Sequence, residues 1–399
     1  MAKQASSDPE SGAVGGAAGS GAAGTSTGTP SLGELESVER AVAELRRGGA
    51  VVVMAADASA QPGAILMRAA ETADSWLLPF FTNAGVGPLS LAITGRRAAI
   101  LGLSQPAARA VQLSCAHDFT PEFLRALIDP QTGSDVIPPP GVTATIAPLH
   151  GAVDTAVLLT KVARLLPAAL VAPLTTKDPG AWARAEGRLI VAASAIEAYD
   201  RDHANALRPI SEARVPLAGC EDTRIISFRP RDGGAEHLAI VIGTPDRSRP
   251  VLARLHSECF TGDLLESLRC DCGDQLRGAV ATIAKSGGGV LLYLAQEGRG
   301  IGLVNKLRAY TLQDQGFDTI DANEQLGFDD DERVYLPAVR MLRHLGFTRV
   351  RLLTNNPAKV GALVRHGIEV TERVAHSFPS NSHNWAYLQT KSKRSGHLF

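Results

Sequence analysis

Cysteine is scarce in this chain, five residues in 399, and aromatic residues make up only 5%. A disulfide framework needs a denser pattern in a shorter chain, so the five read as reduced thiols, as in a cytoplasmic protein. An excess of one charge is missing too. The 40 Lys and Arg against 41 Asp and Glu leave a formal net charge of −1, without the concentrated basic face that general nucleic-acid binding requires. No apolar run reaches the roughly eighteen residues of a membrane-spanning helix. The N-terminus lacks the basic-then-apolar order of a secretory signal. Neither nucleic acid nor a membrane is therefore an expected partner. Residues 1–33 hold little besides Gly, Ala, Ser and Thr, a composition that cannot offset the entropy of ordering, and a disordered tail is expected there.

What the chain does have is concentration. Three of its five cysteines, Cys259, Cys270 and Cys272, fall within His256-Ser257-Glu258-Cys259 and Arg269-Cys270-Asp271-Cys272-Gly273. Three soft thiolates suit a metal with one coordination position left over. Closed structural zinc sites use four protein ligands and hydrolytic ones keep a place for water, so the count favours catalysis. His256, three residues before Cys259, leaves open a fourth ligand and a structural knuckle. Cys115 and Cys220 have small or apolar neighbours and read as inert fillers.

The fold class is α/β, in two mixed α/β domains behind the tail, over residues 34–205 and 206–399. At 399 residues the chain is long enough for two domains that each bury a core. Val38, Val42 and Leu45 fall at helical spacing, Gly48-Gly49 ends that helix, and Val51-Val52-Val53-Met54 reads as a buried strand. An apolar helix is expected over 157–166, a Pro-rich loop at Pro138-Pro139-Pro140, and a boundary in the polar stretch 199–208. Strands are expected over 223–228 and 237–242. After the cysteines come a helix through Leu276, Val280 and Ile283, a strand over 290–294, a helix over 334–345, and strands over 350–353 and 368–374. Such alternation puts ligands at the carboxyl ends of strands.

Three loops then stand out. Glu297-Gly298-Arg299-Gly300 lets backbone approach an anion while Arg299 offers a planar charged fork, although a tight turn would look the same. In Thr354-Asn355-Asn356-Pro357, Pro357 suits a first helical position and Lys359 falls in the first turn, so amides, hydroxyl and ammonium converge on one anion. The other reading is an Asn cap with a surface lysine. Asp329-Asp330-Asp331-Glu332-Arg333 reads as a solvated acidic helix start or as carboxylates that orient the Arg333 guanidinium.

These motifs, in this order from about residue 215 onward, closely resemble GTP cyclohydrolase II. The resemblance runs through the cysteine motifs, Gln296-Glu297-Gly298-Arg299-Gly300-Ile301-Gly302-Leu303, Asn305-Lys306, Tyr310-Thr311-Leu312-Gln313-Asp314-Gln315-Gly316 and Thr354-Asn355-Asn356-Pro357. It implies one zinc per subunit on Cys259, Cys270 and Cys272, whose water attacks C8 of guanine, with that carbon leaving as formate. It implies GTP contacts from Arg254, Leu255, His256, Ser257, Glu258, Gln275, Glu297, Gly298, Arg299, Thr319, Thr354 and Lys359, with Mg2+ on the triphosphate, in a homodimer. Arg333 would attack the α-phosphate and release pyrophosphate, with Asp331 as proton acceptor and Tyr310 near the ring-opening chemistry. Charge stabilisation by Arg333 would predict the same loss on mutation. One departure is Ala295, where the family often has a basic residue.

Residues from 35 to about 200 resemble, more faintly, 3,4-dihydroxy-2-butanone 4-phosphate synthase. The acidic loop that binds magnesium in that family is here Ala55-Ala56-Asp57-Ala58-Ser59-Ala60-Gln61-Pro62, with one carboxylate where a divalent cation needs several oxygen ligands. Gly151-Ala152-Val153-Asp154 lacks the family's histidine, with His150 a shifted candidate. A degenerate domain is expected, serving as scaffold, dimerisation or regulatory module. The alternatives are a bifunctional enzyme that also makes dihydroxybutanone phosphate, and a non-catalytic zinc-stabilised nucleotide-binding protein.

Overall fold

The computed structural model describes residues 32–55, 62–74, 77–103, 107–116, 119–132, 141–231, 233–379 and 394. The tail up to residue 31, Asp57 and Pro138-Pro139-Pro140 lie outside them. Two seven-stranded sheets organise the chain. The first comprises β1 (Ala50–Met54), β2 (Ala64–Ala69), β3 (Ser90–Thr94), β4 (Ala110–Cys115), β5 (Val142–Ile146), β6 (Ala168–Pro173) and β7 (Leu189–Ala192) in the order β5-β4-β3-β6-β2-β1-β7. The run Val51-Val52-Val53 is fully buried because β1 lies between antiparallel β2 and parallel β7 with cores on both faces.

The second sheet comprises β8 (Arg208–Arg214), β9 (Thr223–Arg229), β10 (His237–Ile242), β11 (Val251–Ser257), β12 (Gly289–Leu294), β13 (Arg349–Leu353) and β14 (Glu369–Val374) in the order β14-β13-β11-β12-β10-β9-β8. The pairs β11–β12, β11–β13 and β13–β14 are parallel, and the β8–β9–β10 side is antiparallel. Both domains are thus mixed α/β. Among the described residues no helix is long and apolar enough to cross a membrane.

Three expectations change. The apolar helix runs Ala152–Val162 and stops short of residue 166, because Arg164 takes a left-handed backbone (φ 56°). The polar stretch from residue 199 is the end of the helix Ala193–Asn205, with Tyr199, Asp202 and Ala204 buried, and β8 follows at Arg208. The acidic run before Arg333 is not a helix start. It is irregular backbone, and the helix begins only at Leu336, where Pro337 suits the first turn.

The cores are not divided between the two sheets. One cluster joins Leu91, Ile93, Leu124 and Leu127 of the first domain to Ile301, Leu312, Leu326 and Phe328 of the second. Polar contacts reinforce the seam: Thr94 Oγ1 donates to the Gly327 carbonyl at 2.8 Å, and Arg308 Nη2 reaches Glu71 Oε1 at 2.8 Å.

Candidate active site

The four parallel strands β11 to β14 direct their carboxyl ends toward one cleft, the position expected for ligands in such sheets. Arg254 and His256 project from β11 into it, followed by Ser257, Glu258 and Cys259; Glu297, Gly298 and Arg299 follow β12; Thr354, Asn355 and Asn356 follow β13; His376 follows β14. Strand alternation turns Leu255 the other way, into the core. Its side chain does not line the cleft, but its carbonyl accepts a 2.7 Å hydrogen bond from Lys359 Nζ.

The three cysteines converge. Cys259 leads into the π-helical turn Phe260–Leu264, and Cys272 opens the helix Cys272–Lys285. Their sulfurs lie within 4.8 Å of one another, with Cys259 and Cys270 Sγ 3.7 Å apart. A tetrahedral zinc with bonds of about 2.3 Å places its sulfurs about 3.8 Å apart, so the set fits zinc. Gly262 closes the cradle: a Cβ there would come within 2.8 Å of Cys270 Sγ and 3.1 Å of Cys259 Sγ. The contact with Cys270 holds the Cys259 thiol well below its ordinary value, and the same contact pushes Cys270 up to about 11. One thiolate is favoured and a second opposed, an imbalance a dication removes.

His256 is not part of this group. Its Nε2 sits 3.0 Å from both oxygens of Asp263, which also accepts from Cys259 N and Tyr293 Oη. Among the described residues the potential ligands gathered here are the three cysteines alone, so the four-ligand knuckle is not formed. Burial lowers the His256 pKa despite Asp263, and its buried Nδ1 has no hydrogen-bond partner among the described residues.

Lys306 belongs to the motif Asn305-Lys306, which by itself points to no role for it. Its Nζ lies 3.2 Å from Cys259 Sγ, 2.9 Å from Thr261 Oγ1 and 2.7 Å from Glu297 Oε1. Burial opposes its charge, but Cys259 and Glu297 outweigh burial and raise its pKa. The available signal was the spacing of Lys306, Tyr310 and Gln313, one face of the helix Leu303–Asp314. Glu297 is buried, so Lys306→Met would leave its carboxylate unpaired. We expect this variant to lose about 3 kcal/mol of stability, read as a lower denaturant midpoint; an unchanged midpoint would contradict the pairing.

The cleft also gathers cations. Arg333 Nε and Nη2 donate to the two oxygens of Asp331 at 2.7 and 2.6 Å, and the guanidinium lies 5.6 Å over the Tyr335 ring. Asp331 does not line the cleft; it orients Arg333 from behind. Burial raises the Asp331 pKa, but the Arg333 contacts prevail and lower it. Arg254 is fully buried, hydrogen-bonded to the Leu353 carbonyl and to Gln275, and burial lowers its pKa to about 10. Arg299 sits in a left-handed turn with Gly298 (φ 61° and 64°) and donates to the Asp330 carbonyl at 3.1 Å. Asn356 caps the helix Pro357–Arg365 through Ala358 N, as one reading expected, but Lys359 is buried and not a surface lysine. Thr319 lines the cleft at the start of the helix Thr319–Gln325. Tyr310 Oη is 3.4 Å from Thr261 Oγ1, and burial raises its pKa. Arg269, Gln313, Asn323, Asn355 and His376 also line the cleft without having been assigned there.

Reactive thiols, an oriented guanidinium–carboxylate pair and buried cations around one cleft belong to an enzyme that acts on an anionic small molecule. The model of the family GTP cyclohydrolase II matches residues 208–375. A GTP cyclohydrolase-2 of Azospirillum brasilense is 54% identical over 367 residues, covering 92% of this chain and 94% of its own. A riboflavin biosynthesis protein RibBA of Cytophaga hutchinsonii is 34% identical over 402 residues, covering 91% and 98%. A solved structure, RibBX, a two domain 3,4-dihydroxy-2-butanone 4-phosphate synthase from A. baumannii, is similar at 16% identity and a TM-score of 0.34, covering 86% of this chain and 99% of that one. The chain belongs to the GTP cyclohydrolase II family, and it shares both halves with the Azospirillum relative.

Proposed function

We propose that this protein is a zinc-dependent GTP cyclohydrolase II, converting GTP to 2,5-diamino-6-ribosylamino-4(3H)-pyrimidinone 5′-phosphate, formate and pyrophosphate in riboflavin biosynthesis. The observation that carries this reading is that the three-cysteine cluster and Arg333, held by Asp331, stand around one cleft. Cys259, Cys270 and Cys272 would hold a zinc, which would supply Lewis-acid activation of the water needed at C8 of guanine. Arg254, Arg299 and Lys359 bind the triphosphate, with Mg2+ accompanying it, and Gln275, Glu297, Thr319 and Thr354 place the nucleoside. Arg333, aligned by Asp331, attacks the α-phosphorus and displaces pyrophosphate while Asp331 takes the proton the guanidinium loses. Water then cleaves the nitrogen–phosphorus bond and frees Arg333, and Tyr310 stands beside the cysteines for the ring-opening step. The working unit is a homodimer.

The first domain is proposed to lack synthase activity. Asp154, at the degenerate motif, is buried and bound by Arg109 and the His150 amide, and the His150 ring is paired with Glu197, so these groups are engaged with one another. Incubation of the zinc-loaded protein with GTP, with products identified by mass, tests the reading. All three products are expected. Unchanged GTP overturns it, and release of dihydroxybutanone phosphate from ribulose 5-phosphate would restore the bifunctional alternative.

A further inference from the structure

Among the described residues, everything that lines the cleft lies at position 254 or beyond, yet the first domain reaches the back of the loops that bear its charged groups. The left-handed turn that ends the helix Ala152–Val162 delivers Arg164 to the second domain. Arg164 Nη2 donates to the Ala295 carbonyl at 2.8 Å, just before Gln296 and Glu297. Its own carbonyl accepts from Asn305 Nδ2 at 3.0 Å, and that amide also donates to the Ile301 carbonyl at 3.0 Å. The aliphatic stem of Arg164 lies on Gly302, where a Cβ would come within 3.2 Å of it, and Gly302 N donates to the Glu297 carbonyl at 3.0 Å. One residue thus fastens both ends of the turn that carries Glu297, Gly298 and Arg299: its guanidinium at Ala295, its stem and carbonyl at Gly302 and Asn305.

Lys161 fastens the neighbouring loop. Its Nζ lies 2.7 Å from Glu332 Oε1 and 3.2 Å from Asp329 Oδ2, and Arg96 Nε joins Asp329 Oδ1 at 2.6 Å. Glu332 N donates to the Arg299 carbonyl at 3.0 Å, tying the two loops together one residue before Arg333. Behind them, a cavity of about 470 Å³ between the domains reaches Ala295, Gln296 and Gly300. On the cavity side these loops rest on specific polar contacts, while Ile301 and Phe328 pack into the shared core beside it.

We propose that Arg164, assisted by Lys161, is a positioning residue for the cyclohydrolase reaction: it holds the Glu297–Gly298–Arg299 turn in the form the substrate meets, and makes the first domain a working part of the active site. The kinetic part of this inference rests on the GTP turnover proposed above. The clamp itself can be read without it.

Arg164→Met keeps the stem on Gly302 and removes the guanidinium; Arg164→Lys restores a charged donor. The expected result is a roughly tenfold lower kcat/KM for GTP in R164M, the size of one buried charged hydrogen bond, with partial recovery in R164K and unchanged bound zinc. Amide deuterium uptake over residues 295–302 should rise in R164M. It should not rise in Gln131→Ala, which removes only an exposed 3.3 Å contact to the Arg308 carbonyl across the same domain seam. Wild-type turnover and uptake in R164M overturns the inference, as does a methionine that serves as well as a lysine. If R164M does not fold, Lys161→Met applies the same readouts through Glu332. If the wild-type protein leaves GTP unchanged, the functional reading fails while deuterium uptake still decides the clamp.

Discussion

Cys270→Ser should remove the bound zinc and bring formate release from GTP to the detection limit. A hard hydroxyl replaces a soft thiolate in a three-ligand set that has no spare donor: His256 is held by Asp263, and the potential ligands gathered among the described residues are the three cysteines. Without the metal, water keeps a pKa of about 15.7 in place of about 7. Metal content by atomic spectroscopy and formate by NMR are read on the same sample. If the domain also melts, the zinc is in part a folding ligand. Retained ring opening in zinc-free C270S would contradict the assignment.

Removing residues 1–205 should be nearly as damaging, although it deletes no group that lines the cleft. Since all of the second domain's motifs lie beyond residue 250, the sequence alone predicts a fragment that still binds zinc and GTP, with activity reduced to the extent that the first domain supports the dimer or the active-site loops. The shared core changes that expectation. Ile301, Leu312, Leu326 and Phe328 are each at most 2% exposed in a cluster with first-domain residues. Exposing four such side chains costs about 6–12 kcal/mol, comparable with the whole stability of a domain, about 5–15 kcal/mol. The fragment 206–399 is expected to aggregate, or to retain a loosened fold with little turnover. A soluble, monomeric fragment with wild-type activity would show that the seam is dispensable.

Much of the site was legible because its chemistry is local in sequence. The cysteine spacing, the Gly-flanked Arg299 and the Asn356–Pro357 cap each announce a backbone conformation, and the structure gathers Cys259, Cys270, Cys272, Arg299, Arg333, Thr354 and Lys359 around one cleft. Periodicity also locates β9, β10, β12, β13 and the exposed β14, but not β11 (Val251–Ser257), where the cleft residues Arg254, His256 and Ser257 dilute the apolar run. What escaped depends on tertiary placement. Lys306 looks like a solvated helical lysine until the helix Leu303–Asp314 packs it on Cys259 and Glu297. Arg164 looks like the polar end of an apolar helix. Nothing within a few residues of Arg164 shows that its partner is the carbonyl of Ala295, more than a hundred positions away. The helical character of residues 199–205 was hidden for a similar reason: its polar composition resembles a linker, and only the packed face of Tyr199, Asp202 and Ala204 shows otherwise.

The central claim is that metal held by Cys259, Cys270 and Cys272 opens the guanine ring of GTP. Titrating zinc into the metal-free protein in the presence of GTP labelled with carbon-13 at C8 tests it most directly. Labelled formate should rise with added zinc and level off at one metal per chain, accompanied by an equal amount of pyrophosphate. Formate released without zinc, or label that stays in GTP at full zinc occupancy, would contradict it.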